Sequence, residues 1–179
     1  MKLFNLDTIQ GHIGLALVVM ALALISSCNS RDSSSDPAYI KEAIKETTRD
    51  FPEAEFYVDK FYRDLAAFGI KPLRPSISIV KLANLDQVEG LTHSYGISLG
   101  AADDSRIEIY INERTWYNMS RSQRYFIMYH ELAHDVLNLK DIYEGSMSEV
   151  GLMYGKIDLH NHLYMDDFID AFKLTFSKL

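Results

Sequence analysis

Hydrophobic residues recur every three or four positions in four stretches of the chain, the spacing that gives a helix one buried face. This pattern predicts helices over residues 38–47, 53–68, 121–139 and 161–179. In the second and the last helix we expect the large apolar side chains to lie in the core. They are Phe56, Tyr57, Phe61, Leu65 and Phe68 in the second helix, and Met165, Phe168, Ile169, Phe172, Phe176 and Leu179 in the last.

Three shorter segments between the second and third helices alternate apolar and polar residues, as half-buried strands do. They cover residues 76–80, 92–99 and 106–111. The loop between the last two contains a glycine and two aspartates and suits a hairpin. Together the elements predict an α+β domain, in which a small mixed or antiparallel sheet packs on the central helix 121–139, with further helices towards both termini.

The central helix is predicted to be buried, because its sequence leaves hardly any polar face. Residues 120–123, Ser-Arg-Ser-Gln, resemble a capping box and mark its start. Burying polar side chains without partners would cost several kcal/mol, on the order of 2–7 for each group, and a bound metal ion is one suitable partner. Four polar residues interrupt the apolar sequence, namely His130, Glu131, His134 and Asp135.

The segment from His130 to His134 has the pattern H-E-x-x-H. Histidines four residues apart lie on one face of a helix, roughly 6 Å apart, so both imidazoles can reach a single zinc ion (Zn²⁺). Glu131 is turned by about 100° around the helix axis, towards the open side of the metal. That position suits a general base rather than a ligand. Catalytic zinc takes three protein ligands, so a third ligand must follow elsewhere.

The segment resembles the signature of the metzincins, H-E-x-x-H-x-x-G-x-x-H, zinc peptidases with a methionine turn that corresponds here to residues 151–155. It is more specifically similar to small bacterial lipoproteins classed as metallopeptidases, whose motif runs H-E-L-G-H-x-x-L-N-x-x-H-D. The similarity covers residues 107–154, and only the motif and the turn are specific. It implies a zincin-like fold, with Met153 as a hydrophobic floor under the ligands and residues 92–99 as a strand that lines the bound peptide.

The chain departs from both signatures at the third ligand. The metzincin glycine and third histidine correspond to Leu137 and Lys140, and an ammonium group cannot bind zinc. The lipoprotein pattern places Asp141 at the third-histidine position, and aspartate is an acceptable zinc ligand. The predicted zinc site is therefore the histidine pair with Asp141, with Glu144 and Glu149 as the alternatives.

A site of this kind implies a zinc-dependent metallopeptidase that acts on a peptide or protein substrate. Zinc lowers the pKa of a water molecule, and Glu131 takes its proton and later gives it to the leaving amine. The developing oxyanion needs another donor, for which Tyr143 and Tyr154 are candidates, although with eleven tyrosines in the chain packing is the favoured role for either. The alternatives are an inactive lipid-anchored binding or structural module that keeps the fold, and a metal-binding protein without hydrolysis, which would have no need of Glu131.

The start of the chain has the layout of a secretory signal, with an apolar run over residues 13–25. Its Ile-Ser-Ser-Cys ending resembles a bacterial lipobox, where cleavage precedes a lipidated cysteine; a plain secretory signal is the alternative. Cys28 is the only cysteine, which excludes a disulfide within the chain. We expect a signal over residues 1–27, a flexible tether over 28–37 and one domain over 38–179. The domain is expected to be anchored outside the cytoplasm at the bacterial outer membrane, on either its periplasmic or its cell-surface face.

Charge narrows the range of partners. The chain carries a formal net charge of −7 and has no run of lysine or arginine, which argues against nucleic acid. We expect a monomer whose only membrane attachment is the lipid. His93, His160 and His162 lie outside the metal motif and are predicted to be surface, packing or capping residues.

Overall fold

The computed structural model describes residues 37–101, 103–157 and 162–179, and these residues contain six α-helices and three strands. The predicted α+β class is confirmed. The helices are α1 (Pro37–Lys45), α2 (Ala54–Ala67), α3 (Glu113–Trp116), α4 (Arg121–Leu137), α5 (Met147–Val150) and α6 (Met165–Phe176). The strands are β1 (Ile77–Ala83), β2 (Gly96–Ser98) and β3 (Arg106–Asn112), and a single 3₁₀ turn follows β1 (Leu85–Gln87).

The three strands form a mixed sheet in the order β1-β3-β2. β3 runs parallel to β1 and antiparallel to β2, so the predicted hairpin between β2 and β3 is confirmed. β3 is buried on both faces: its isoleucines face the core around α4, whereas Glu108 and Tyr110 face α1. Glu108 is fully buried there, and Lys41 of α1 pairs with it at 2.8 Å. Helix α1 is therefore fixed to the face of the sheet opposite α4 by a charge pair as well as by apolar contacts.

α4 is the central element of the domain, as the sequence predicts. Its first turn has the predicted capping box, with Ser120 accepting from the Gln123 backbone and the Gln123 side chain accepting from the Ser120 backbone. One side of α4 packs against β2 and β3, and the other packs against α2 and α6. The helix ends at Asn138, which adopts a left-handed conformation with φ 53°. The chain can therefore turn sharply just after the histidine motif.

Some apolar side chains predicted for the core are exposed. Phe56 and Phe68 are 50% and 38% exposed, and Ile169 and Leu179 are 36% and 65% exposed. Phe56 lies five residues from the fully buried Phe61, which is about 140° around the helix axis. Phe68 and Leu179 lie beyond the ends of α2 and α6, where the helical periodicity no longer determines which way a side chain points.

The predicted strand boundaries also need correction. The segment predicted at 92–99 becomes a strand only from Gly96, because the chain turns at His93, where φ is 72°. β1 begins one residue later than predicted and continues to Ala83, since its whole length pairs with β3. Ile77, at its start, is 51% exposed.

The predicted signal, Cys28 and all but the last residue of the predicted tether lie outside the described residues. Across the described ranges 37–101, 103–157 and 162–179, the structure contains no helix that is both long enough and apolar enough to cross a membrane.

Candidate metal centre

The two motif histidines are held in one orientation by backbone carbonyl groups. His130 Nδ1 lies 2.8 Å from the Leu152 carbonyl oxygen, and His134 Nδ1 lies 2.6 Å from the Leu139 carbonyl oxygen. A carbonyl oxygen can only accept, so each Nδ1 carries the hydrogen and each neutral ring has its lone pair on Nε2. The two Nε2 atoms lie 3.1 Å apart. This is the arrangement found when two histidines ligate one metal ion through Nε2.

Asp141 completes a group of three possible ligands. Its Oδ1 lies 3.1 Å from His130 Nε2 and 3.3 Å from His134 Nε2, and its side chain is only 1% exposed. Possible ligand atoms of the three residues lie within 4.8 Å of one another, close enough to hold a metal ion. The structure thus brings together the three residues that the sequence analysis selects as ligands.

The donor atoms of this group need a positive charge among them, because two lone pairs and a carboxylate oxygen repel one another at such short distances. Burial opposes the charged form of Asp141, but hydrogen bonds from the two imidazoles in their protonated form, and their positive charge, lower the pKa of its carboxyl well below the usual range. Burial also acts to lower the pKa of His134, yet the hydrogen bond with Asp141 and the charge of Glu131 raise it to about 9. Two imidazole nitrogens and one carboxylate oxygen are a donor set that divalent transition metals, zinc included, accept.

Glu131, on the same helix as the two histidines, lies against the sheet. It is only 2% exposed and packs directly on Gly96 of β2. A Cβ added to Gly96 would lie 2.7 Å from Glu131 Oε1 and 2.8 Å from its Cγ, so only glycine allows the strand to pass this close to the carboxylate. Glu131 is not part of the three-residue group identified among the described residues, consistent with a role other than metal ligand.

The predicted methionine turn supports the site through its backbone. Leu152 and Met153 are buried; the Leu152 carbonyl accepts from His130, and the Met153 carbonyl accepts from the Ile142 amide at 2.8 Å. The Leu152 amide donates to the Thr175 hydroxyl of α6 at 2.7 Å. The turn therefore links a histidine ligand, the segment that carries Asp141 and the C-terminal helix. The floor role of Met153 under the ligands stays a prediction.

The two alternative metal ligands and the two candidate oxyanion donors all lie outside the three-residue metal-holding group of the described residues. Glu144 is exposed, and Glu149 accepts from the Ser146 amide at 2.8 Å to cap α5; neither belongs to the metal-holding group in the described residues. The Tyr143 hydroxyl donates to Asp141 Oδ2 at 3.0 Å. Tyr154 is half-buried and pairs through its backbone with Ile142.

Of the three histidines predicted to lie apart from the metal site, the structure describes two, and both lie outside it. His93 is exposed in the turn before β2, and His162 is exposed before α6, where its ring approaches that of Tyr164. His160 lies outside the described residues.

Asp135 has a role that the sequence analysis did not identify. Its Oδ2 accepts from the Ser98 hydroxyl at 2.9 Å, and from the amides of Gly100 and Glu108 at 3.1 Å each. Asp135 therefore fixes α4 to the β2–β3 hairpin through Oδ2. Gly100 permits this contact, since a Cβ there would lie 2.3 Å from Asp135 Oδ2. The sequence signal was weak, because the partners are mostly backbone amides.

Comparisons with protein-family models, with curated proteins and with solved structures found no match for this chain. What the protein does must therefore be inferred from the residues of the candidate metal centre themselves.

Proposed function

We propose that this protein is a zinc-dependent metallopeptidase with a zincin-like domain. His130, His134 and Asp141 would hold the zinc ion, and Glu131 would serve as the general base. The observation that carries the proposal is the convergence of the two Nε2 atoms and Asp141 Oδ1 within 3.3 Å, beside a buried glutamate on the same helix. Zinc is favoured over other metals that accept this donor set because of that adjacent carboxylate, which suits hydrolysis.

The chemistry follows from the positions of the charged groups. Zinc, when bound, would polarise the substrate carbonyl and lower the pKa of a water molecule. Glu131 is buried and packs against Gly96, and from this position its carboxylate would accept a proton and pass it to the leaving amine. The carbonyls of Leu152 and Leu139 keep the Nδ1 hydrogens in place, so both histidines present Nε2 as neutral ligands.

The position of β2 supports a peptide substrate. β2 forms one edge of the described sheet, and an extended peptide could add to that edge through main-chain hydrogen bonds. Because Gly96 of β2 contacts Glu131, a peptide bound along this strand would pass beside the proposed base. The segment 92–99 of the sequence analysis thus remains the proposed substrate strand, in the shorter form Gly96–Ser98.

Three further features of the structure support the zincin-like assignment. The motif helix packs under a small mixed sheet, the hairpin strand lies at the sheet edge, and a buried turn with Met153 contacts the first histidine through the adjacent carbonyl. The proposed location, outside the cytoplasm and anchored through lipidated Cys28, rests on the sequence at the start of the chain.

Metal analysis combined with a cleavage assay tests this proposal. We expect purified protein to contain about one zinc ion per chain, and His130→Ala, His134→Ala or Asp141→Ala to lose most of it. Glu131→Gln should retain the zinc but cleave a mixed peptide library about 10²–10⁴-fold more slowly, because it removes only the base. His162→Ala, a histidine outside the site, is the matched control and should behave like the wild type.

The possible outcomes separate the alternatives. Wild-type protein that binds no metal would overturn the proposal entirely. Wild-type protein that binds zinc but is as inert as Glu131→Gln across the library would favour the binding module or the non-hydrolytic metal protein.

A further inference from the structure

The two oxygens of the Asp141 carboxylate have different neighbours. Oδ1 faces the two histidine Nε2 atoms at 3.1 and 3.3 Å, whereas Oδ2 accepts a hydrogen bond from the Tyr143 hydroxyl at 3.0 Å. A phenol can donate only one hydrogen, and the structure directs it to the oxygen that does not face the histidines. Tyr143 therefore contacts the candidate metal centre through Asp141.

The backbone between these two residues is fixed. The Ile142 amide donates to the Met153 carbonyl at 2.8 Å, and the Gly155 amide donates to the Ile142 carbonyl at 3.1 Å. These bonds form a parallel bridge between Ile142 and Tyr154. In an extended segment, residues on either side of such a bridge point to the same face. Asp141 and Tyr143 are thus presented side by side, and their contact follows from the backbone as well as from side-chain rotation.

A glycine in the turn makes room for the pair. A Cβ added to Gly155 would lie 2.7 Å from Tyr143 Cε1 and 3.0 Å from Asp141 Cβ. The turn backbone therefore packs directly against both side chains. The ring of Tyr143 lies between this backbone and solvent and is 41% exposed, so the turn limits its movement on one side only.

We propose that Tyr143 is a positioning residue for the metal centre, and that its hydroxyl holds Oδ2 so that Asp141 presents Oδ1 alone to the ion. The inference rests on the proposed zinc site. Loss of this hydrogen bond removes one restraint on rotation about the terminal bond of the carboxylate, and such rotation turns Oδ1 away from the ion or offers it both oxygens. Hydrogen bonds to ligating side chains commonly change metal affinity by about 10–100-fold when they are removed. Tyr143 accordingly acts through Asp141 and not as an oxyanion donor.

The test is Tyr143→Phe, which removes only the hydroxyl. The dissociation constant for zinc is measured on the full chain by competition with a chromophoric chelator. We expect Tyr143→Phe to bind zinc about tenfold more weakly than the wild type. Tyr117→Phe removes a hydroxyl from a tyrosine that is 65% exposed and lies outside the site, and it should bind zinc as the wild type does. The thermal midpoint of the metal-free protein should be alike in both variants.

Cobalt supplies a readout that a general loss of stability would not change. With Co²⁺ in place of zinc, the visible absorption depends on coordination number and geometry. We expect the absorption to change in Tyr143→Phe, where the carboxylate has lost one restraint against binding through both oxygens, and to stay unchanged in Tyr117→Phe. Zinc affinity within twofold of the wild type, together with an unchanged cobalt spectrum, would overturn the inference while leaving the zinc site intact. A wild type that binds neither metal would overturn the zinc site and, with it, the role of Tyr143.

Discussion

At the scale of single residues, protons and a metal ion compete for the same three atoms. In the metal-free protein, a protonated His134 beside an ionised Asp141 supplies the positive charge that the group needs. Zinc binding requires His134 to be neutral, so the proton must leave when the metal enters. The orientation of each ring does not change in this exchange, because the Nδ1 hydrogens remain on the Leu152 and Leu139 carbonyls.

This competition predicts how stability and zinc affinity depend on pH. The pKa of His134 is raised from 6.5 to about 9 in the folded metal-free protein, so its protonated form stabilises the fold below pH 6.5. That contribution is lost as the pH rises through about 9. Over the same interval each zinc ion that binds displaces about one proton from His134, so zinc affinity should increase by up to about tenfold per pH unit.

The measurement is a pair of titrations at several pH values between 6.5 and 9. Thermal unfolding of the metal-free protein should show a falling midpoint, and chelator competition should show a tightening zinc dissociation constant. A zinc affinity that does not change across this interval would contradict the proton exchange at His134.

At the scale of elements, α4 uses different faces for different tasks. The histidines point towards the segment that follows the helix, with its Asp141 and methionine turn, whereas Glu131 and Asp135 face the β2–β3 hairpin. Glu131 and Asp135 are four residues apart and therefore lie on one side of the helix. Asp135 binds the hairpin at Ser98, Gly100 and Glu108, and Gly96 of the same hairpin contacts the proposed base. The fold and the proposed chemistry therefore share one interface.

Replacing Asp135 should test this interface. Asp135→Ala removes the acceptor for the Ser98 hydroxyl and for two buried amides, and we expect it to reduce the free energy of unfolding by about 3 kcal/mol. Asp170→Asn alters an aspartate whose side chain is 80% exposed and is the control, with an expected change within about 0.5 kcal/mol. Urea denaturation measures both, and equal stability of the two variants would show that Asp135 does not fix α4 to the hairpin.

The sequence predicts the elements better than their contacts. Periodicity and the capping box locate α4, and alternation locates β3, because these signals are local. The parallel pairing of β1 with β3 and the placement of α1 on the second face of the sheet depend on residues far apart in the chain. No local pattern specifies such contacts, and the same holds for the Asp135 hydrogen bonds to backbone amides.

At the scale of the whole molecule, the proposed ligands come from one short segment and their supports come from distant ones. His130, His134 and Asp141 lie within twelve positions, which is why the motif and its resemblance could select them. The Leu152 carbonyl and Gly96 are brought to the site only by folding. The turn at Asn138 then delivers Asp141 beside the histidines.

A structure of the zinc-loaded protein, with the metal located by its anomalous scattering, tests the central claim most directly. We expect one zinc ion bound to His130 Nε2, His134 Nε2 and Asp141 Oδ1, each at about 2.0–2.2 Å. Glu131 should lie beside the ion without binding it. Zinc absent from this site, or held by Glu144 or Glu149 in place of Asp141, would contradict the account.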